Sequence, residues 1–169
     1  MKRIAVMLIS VVIFPAVMQA QVSVMAHVYA EVIEGIAVMK AYSLSFGRFS
    51  PEIEGGTITI TPDGSRIANG SLILIPGSKG PGRILVSGSP TVGFTVKLPN
   101  ENVVVTHIES GSTMYVVDWV ADPAFGNGAE TLHDGSQMVN IGATIYVGTI
   151  LDNPAGIYSG TYMVTLAFN

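Results

Sequence analysis

The chain has 169 residues, of which 49% are hydrophobic and 12% are charged, and it contains no cysteine. This length suits one domain, the apolar content excludes an intrinsically disordered chain, and the lack of cysteine excludes a disulfide framework. Twelve acidic residues stand against eight basic ones, without any basic cluster, which argues against nucleic-acid binding.

The first twenty residues have the pattern of a secretory signal peptide. Lys2 and Arg3 precede an apolar run over residues 4–17, and residues 18–20 (Met-Gln-Ala) form a cleavage site. The run has fourteen residues, fewer than the ~20 that a stable membrane-spanning helix needs. An uncleaved membrane anchor is the alternative. Cleavage after residue 20 would leave a chain with 6 basic and 12 acidic residues, a net charge of −6, and no membrane span.

The next segment, residues 21–34, contains a strongly alternating β-strand. Its apolar face is small and aliphatic, and its other face carries Ser23, Met25, His27, Tyr29 and Glu31. This period of two is typical of a strand with two different faces. The residues of the apolar face are Val22, Val24, Ala26, Val28, Ala30 and Val32.

Residues 35–169 are predicted to form one β-domain. Short runs rich in Val, Ile, Thr, Tyr and Phe alternate with Gly, Pro, Asn and Asp, about ten residues apart, which indicates a two-sheet β-sandwich. The predicted strands cover residues 36–39, 44–46, 57–61, 71–75, 83–87, 92–98, 103–106, 114–120, 137–150 and a terminal stretch from Gly156.

That terminal stretch is the second regular strand of the sequence. Tyr162, Val164, Leu166 and Phe168 alternate with Met163, Thr165 and Ala167, so the first set is predicted to be buried. A terminal strand must lie beside another strand, which belongs either to this chain or to a second molecule.

The sequence offers no catalytic constellation. It has no nucleophile elbow and no cysteine, and its three histidines (His27, His107 and His133) lack metal-binding spacing. We therefore predict no enzymatic activity, no cofactor and no metal. The polar segment 122–136 is interpreted as a Gly-rich connection, with a calcium site as the alternative. In the run 114–120, Asp118 is predicted to face solvent together with Val116 and Val120, and Trp119 to lie in the core.

Three segments resemble a bacterial exported family known as domain of unknown function 4402. They are residues 44–47 (Leu-Ser-Phe-Gly), residues 56–66 (Gly-Thr-Ile-Thr-Ile-Thr-Pro-Asp-Gly-Ser-Arg) and residues 154–162 (Pro-Ala-Gly-Ile-Tyr-Ser-Gly-Thr-Tyr). The resemblance spans roughly residues 22–168. It implies an all-β fold, an immunoglobulin-like antiparallel β-sandwich of Greek-key type, and leaves the function open.

The C-terminal end also resembles pilus subunits of the chaperone–usher type and spore-coat-protein-U-like proteins. Gly156 lies fourteenth from the end and Phe168 is the penultimate residue, as in those subunits, although the chain lacks their disulfide and has Phe in place of the common Tyr. The resemblance implies an incomplete sandwich whose groove accepts the N-terminal strand of the next subunit. Residues 22–32 would be that donor strand, and the implied partners are copies of the same or related subunits, a periplasmic chaperone and an usher.

Two functions therefore follow from the sequence. The first is an exported structural subunit of a cell-surface fibre or coat, which assembles by strand addition through the apolar face of residues 22–32 and the terminal residues Gly156, Tyr162, Val164, Leu166 and Phe168. The alternative is a self-contained monomeric module of the periplasm or surface that pairs residues 22–32 within its own chain and binds a ligand such as a glycan.

Overall fold

Strands account for all the regular secondary structure in the described part of the chain. A computed structural model describes residues 37–90, 93–124, 130–132 and 134–168, so the signal-peptide and donor-strand predictions for residues 1–34 lie outside it. The strands are β1 (Ala37–Tyr42), β2 (Arg48–Ile60), β3 (Arg66–Ile75), β4 (Gly82–Ser87), β5 (Gly93–Lys97), β6 (Val103–His107), β7 (Thr113–Asp122), β8 (Glu130–Thr131), β9 (Ser136–Val147), β10 (Tyr158–Ser159) and β11 (Thr165–Phe168).

All pairs among the eleven described strands are antiparallel, and these strands form two sheets. The larger sheet has the order β1-β4-β9-β7-β6-β10, and β2 joins it by pairing with β9 on one side and β3 on the other. The smaller sheet has the order β11-β5-β8. The all-β prediction is confirmed.

The hairpin between β2 and β3 illustrates how local sequence sets the strand ends. In residues 61–64 (Thr-Pro-Asp-Gly), the N–H of Gly64 donates to the carbonyl of Thr61 at 2.9 Å, and Gly64 has a φ of 88° that favours glycine. The Asp63 carboxylate accepts hydrogen bonds from the hydroxyls of Thr61 and Ser65, and these bonds lower the pKa of Asp63 below its ordinary value.

A β-bulge in β7 changes which residues face the core. The pairing with β9 shifts between Val117 and Val120, and Asp118 adopts a φ of 50°. Val116 is buried, but Asp118 and Val120 are exposed and Trp119 is half-buried. The prediction that Asp118 faces solvent is confirmed. The prediction that Val116 shares its face is wrong, because the bulge reverses the alternation.

The core consists of two hydrophobic clusters. The first is built around Phe94 and Val139 and the second around Ile58 and Ile145. The partly buried side chain of Trp119 packs against both clusters. Strands β2, β4, β5, β7 and β9 therefore supply most of the buried hydrophobic residues.

Two predicted elements differ from the structure. Residues 44–46 form no strand, and only Ser45 makes an isolated bridge, to Gly80. The terminal stretch is not one strand, because β10 pairs with β6 in the larger sheet and β11 pairs with β5 in the smaller one. The burial alternation is nevertheless confirmed over residues 162–167, since Tyr162, Val164 and Leu166 are half-buried while Met163, Thr165 and Ala167 are exposed.

The connection between β7 and β9 also carries more structure than predicted. Within the described part of residues 122–136, Glu130–Thr131 pair with β5 and Leu132 is buried.

No helix long and apolar enough to cross a membrane occurs in the described ranges.

Candidate functional site: an apolar groove between open strand edges

A groove of about 720 Å³ runs between residues 43–51 on one side and residues 153–162 on the other. Apolar side chains of β6, β7 and β9 form its floor. The floor residues are Val103, Val105, Met114, Val116, Trp119 and Ile145. Because the floor belongs to the second core cluster, the groove opens directly onto the hydrophobic core.

Arg66 holds the first wall in place. Its guanidinium donates to the carbonyl oxygens of Phe46 and Arg48, both at 3.2 Å, and of Ile75 at 3.1 Å. Ser45 and Gly80 add two backbone hydrogen bonds of 2.9 Å to each other. The planar, multivalent donor of arginine suits this task, because three carbonyls from two chain segments converge on one side chain.

We expect Arg66→Lys to lower the free energy of unfolding by about 1–3 kcal/mol, because a lysine ammonium cannot reach all three carbonyls. Urea denaturation of the variant and the parent protein measures this difference. Arg83→Lys is the matched control, since Arg83 is exposed on β4 and its replacement should cost less than about 0.5 kcal/mol. Equal losses in the two variants would contradict the assigned role of Arg66.

His107 holds the second wall. It is 4% exposed, and its Nδ1 accepts the backbone N–H of Ser110 at 2.8 Å. Nδ1 is thus an acceptor, and the Nε2–H donates to the carbonyl of Ala155 at 3.2 Å. The Tyr158 ring lies 4.9 Å from the imidazole, and the Tyr158 hydroxyl donates to the carbonyl of Pro154 at 2.9 Å.

The start of the second wall is fixed by Asn153, which is 4% exposed. Its side-chain amide donates to the carbonyl of Thr113 at 3.0 Å, and its side-chain oxygen accepts the N–H of Gly148 at 2.6 Å. Burial raises the pKa of the Tyr158 and Tyr162 phenols above their ordinary value. The wall is therefore an ordered segment tied to the ends of β6, β7 and β9.

Both walls contain strand edges that are only half paired. The first residues of β2, Arg48–Pro51, pair with β3, whereas the pairing of β2 with β9 begins only at Gly56. On the opposite wall, β10 is the last strand of the larger sheet and pairs with β6 alone among the described strands. Unpaired strand edges present free backbone donors and acceptors and serve as templates for another strand.

Trp119 supplies a buried polar atom at the groove. Its ring stacks on Tyr162 with centroids 4.6 Å apart, and its Nε1–H is buried without a hydrogen-bond partner within the described ranges. An unpaired buried donor costs about 1–3 kcal/mol.

The structure places the C-terminal residues of the predicted strand-addition interface in two different parts of the domain. Gly156 and Tyr162 line the groove, whereas Val164 and Leu166 pack against the Phe94 cluster and Phe168 pairs with Phe94 in the smaller sheet. Residues 22–32 lie outside the described residues. Sequence reasoning missed Arg66 and His107, because the wall residues that they hold, Phe46, Arg48 and Ala155, are distant along the chain.

Among the described residues, no group of three or more His, Asp or Glu side chains is placed to hold a metal ion. Residues 125–129 and 133 of the suggested calcium loop lie outside those residues.

The fold and groove define an antiparallel β-domain with an open, strand-lined cleft. Residues 36–168 match the family model described as domain of unknown function DUF4402, and the chain belongs to that family. Neither the curated proteins nor the solved structures included a match. The family segments 44–47 and 154–162 form part of the two groove walls, and Arg66 of the third segment fastens the first wall.

Proposed function

We propose that this protein is an exported, non-catalytic structural subunit of a cell-surface fibre or coat and that it assembles by strand addition. The N-terminal segment 22–32 of one copy fills the groove of the next. On this proposal residues 1–20 are a cleaved signal peptide, and the domain is an immunoglobulin-like, Greek-key sandwich that lacks one strand. Other subunits, a periplasmic chaperone and an usher are the proposed partners.

The observation that carries the proposal is the combination of two half-paired strand edges with an apolar floor. A small-molecule pocket needs a few polar groups aimed at its ligand. On both sides this groove instead has strand edges with only one neighbouring strand among the described residues, along Arg48–Pro51 and along β10, and it has apolar side chains beneath. An added strand satisfies both, since its backbone pairs with the edges and its alternate side chains enter the floor.

The chain carries a segment that suits the groove. Every second residue of segment 22–32 is Val or Ala, and the intervening residues are larger or polar. Burial of Val22, Val24 and Val28 contributes roughly 1.5–3 kcal/mol each, which offsets a large share of the entropy lost when the segment becomes ordered.

A peptide competition experiment tests the proposal. An excess of synthetic peptide of residues 21–33 is expected to convert assemblies of the chain 21–169 into monomers, because the peptide occupies the groove. Size-exclusion chromatography with light scattering measures the change. The control peptide carries Val24→Asp and Val28→Asp, which place charges on the face that enters the apolar floor, and it should leave the assemblies intact.

The same experiment separates the proposal from its alternative. A chain 21–169 that is monomeric at all concentrations and ignores the peptide would indicate pairing of residues 22–32 within one molecule. That outcome favours the self-contained module, and a thermal-shift screen against glycans and calcium would then identify its ligand. Equal effects of the two peptides would contradict strand addition altogether.

A further inference from the structure

Four apolar side chains are exposed at one end of the groove, and we name them the rim patch. They are Ile108, Ile150, Leu151 and Ile157, with exposed fractions of 68%, 44%, 91% and 69%. Groups of exposed apolar side chains on one surface commonly mark an interface.

The pairing of the strands brings the rim patch together. Thr106 pairs with Thr113 and Tyr115 pairs with Tyr146, so the turn after β6 and the turn after β9 lie at the same end of the sheet. The N–H of Ile108 donates to the carbonyl of Ile157 at 3.0 Å. Ile150 and Ile157 also line the groove. The rim patch is therefore continuous with the groove opening.

The rim patch is held rigidly, as an interface requires. The turn after β9 is closed by hydrogen bonds from the N–H of Asn153 to the carbonyl of Thr149 at 2.9 Å and from the N–H of Gly148 to the side chain of Asn153. The turn after β6 is closed by the hydrogen bond from the N–H of Gly111 to the carbonyl of His107 at 3.1 Å. Little ordering entropy would be lost when a partner covers it.

The short connection between the donor segment and β1 limits where the β-domain of the donating copy can lie. Only residues 33–36 separate the proposed donor segment from Ala37, the first residue of β1. Five residue steps span at most roughly 18 Å. A copy whose segment 22–32 fills a groove must therefore hold its own β-domain close to the end of that groove. Val38, near the start of β1, is 49% exposed and offers an apolar counterpart on the donor.

We infer that the rim patch is the second contact between successive subunits and is covered by the β-domain of the copy that donates its N-terminal segment. This inference rests on the proposed strand addition. It fixes the direction of the donor strand, because Val32 must leave the groove at the end that carries Ile108 and Ile157.

The test compares assembly with peptide binding. The double variant Ile108→Ser/Leu151→Ser changes two rim-patch residues that do not line the groove. We expect its self-association constant, measured by sedimentation velocity, to fall at least tenfold. Its control, Ile67→Ser/Ile73→Ser, alters exposed residues of β3 and should assemble normally. If the two variants assemble equally well, the inference is wrong.

A second measurement, of peptide binding, distinguishes failure of this inference from failure of strand addition. Labelled peptide 21–33 is added to two versions of chain 21–169. Both carry Val24→Asp and Val28→Asp, and one of them also carries Ile108→Ser and Leu151→Ser. We expect the two affinities to agree within twofold, because the groove is unchanged. A loss of peptide binding in the rim-patch variant alone would overturn a separate second contact. No peptide binding to either chain would overturn both proposals.

Discussion

Deletion of residues 21–33 is expected to leave a folded chain that no longer assembles. The buried side chains of β2, β4, β5, β7 and β9 supply the core, so the domain retains its cooperative unfolding. The loss of the three valines that the proposal buries removes at least about 4.5 kcal/mol, which corresponds to roughly a thousandfold weaker association. Sedimentation velocity measures the association, and circular dichroism with urea denaturation measures the folding.

Point substitutions on the two faces of the segment control for the deletion. Val24→Asp/Val28→Asp charges the apolar face and should reproduce the loss of assembly. Ser23→Asp/His27→Asp adds the same number of carboxylates to the opposite face and should assemble nearly as the parent does. An unfolded deletion variant, together with a monomeric parent, would mean that the segment completes its own domain. Normal assembly of the deletion variant would rule out donor-strand exchange.

Gly156→Ala is expected to lower the free energy of unfolding by about 2–4 kcal/mol. A β-carbon at this position would overlap the imidazole of His107, and Gly156 has a φ of 156° that side chains rarely adopt. The imidazole cannot retreat easily, because Ser110 and Ala155 hold its two ring nitrogens. The groove wall would move instead. Urea denaturation measures the stability, and the peptide-binding assay with residues 21–33 measures the damage to the groove.

Two comparisons isolate the contact with His107. Gly111 has a φ of 76°, and no atom lies within 4 Å of the point that an added β-carbon would occupy, so Gly111→Ala reports backbone strain alone, about 1 kcal/mol. The second comparison is a double-mutant cycle with His107→Ala. In the His107→Ala protein, Gly156→Ala should lower the free energy of unfolding much less than it does in the parent protein, because the obstructing imidazole is gone. Equal costs for the two glycine substitutions, or strictly additive effects in the cycle, would show that the packing against His107 is unimportant.

The groove combines walls that are held by hydrogen bonds with an apolar floor. Its walls are fastened by hydrogen bonds of Arg66, His107 and Asn153. Its floor is apolar, and its strand edges have only one neighbouring strand among the described residues. Under the proposed strand addition, this groove takes a strand with small apolar side chains.

Much of the strand content was predictable from local pattern. The β2–β3 turn follows from Pro62 and Gly64, and the alternation around Leu166 follows from a period of two. Local pattern was insufficient at Asp118, because a bulge depends on the pairing with β9 and reverses the faces after it. It was insufficient again at the terminal stretch, where the chain passes from one sheet to the other between Ser159 and Thr165.

The sequence by itself determined the all-β class, the membership of the family and the two alternating segments at either end of the proposed mature chain. Only the tertiary structure decided that residues 44–47, Arg66 and residues 154–162 meet around one open groove, and that His107 packs on Gly156. The physical reason is that alternation and turn preference are properties of neighbouring residues. The sheet edges left open depend instead on pairing between residues far apart in the chain, such as His107 and Tyr158.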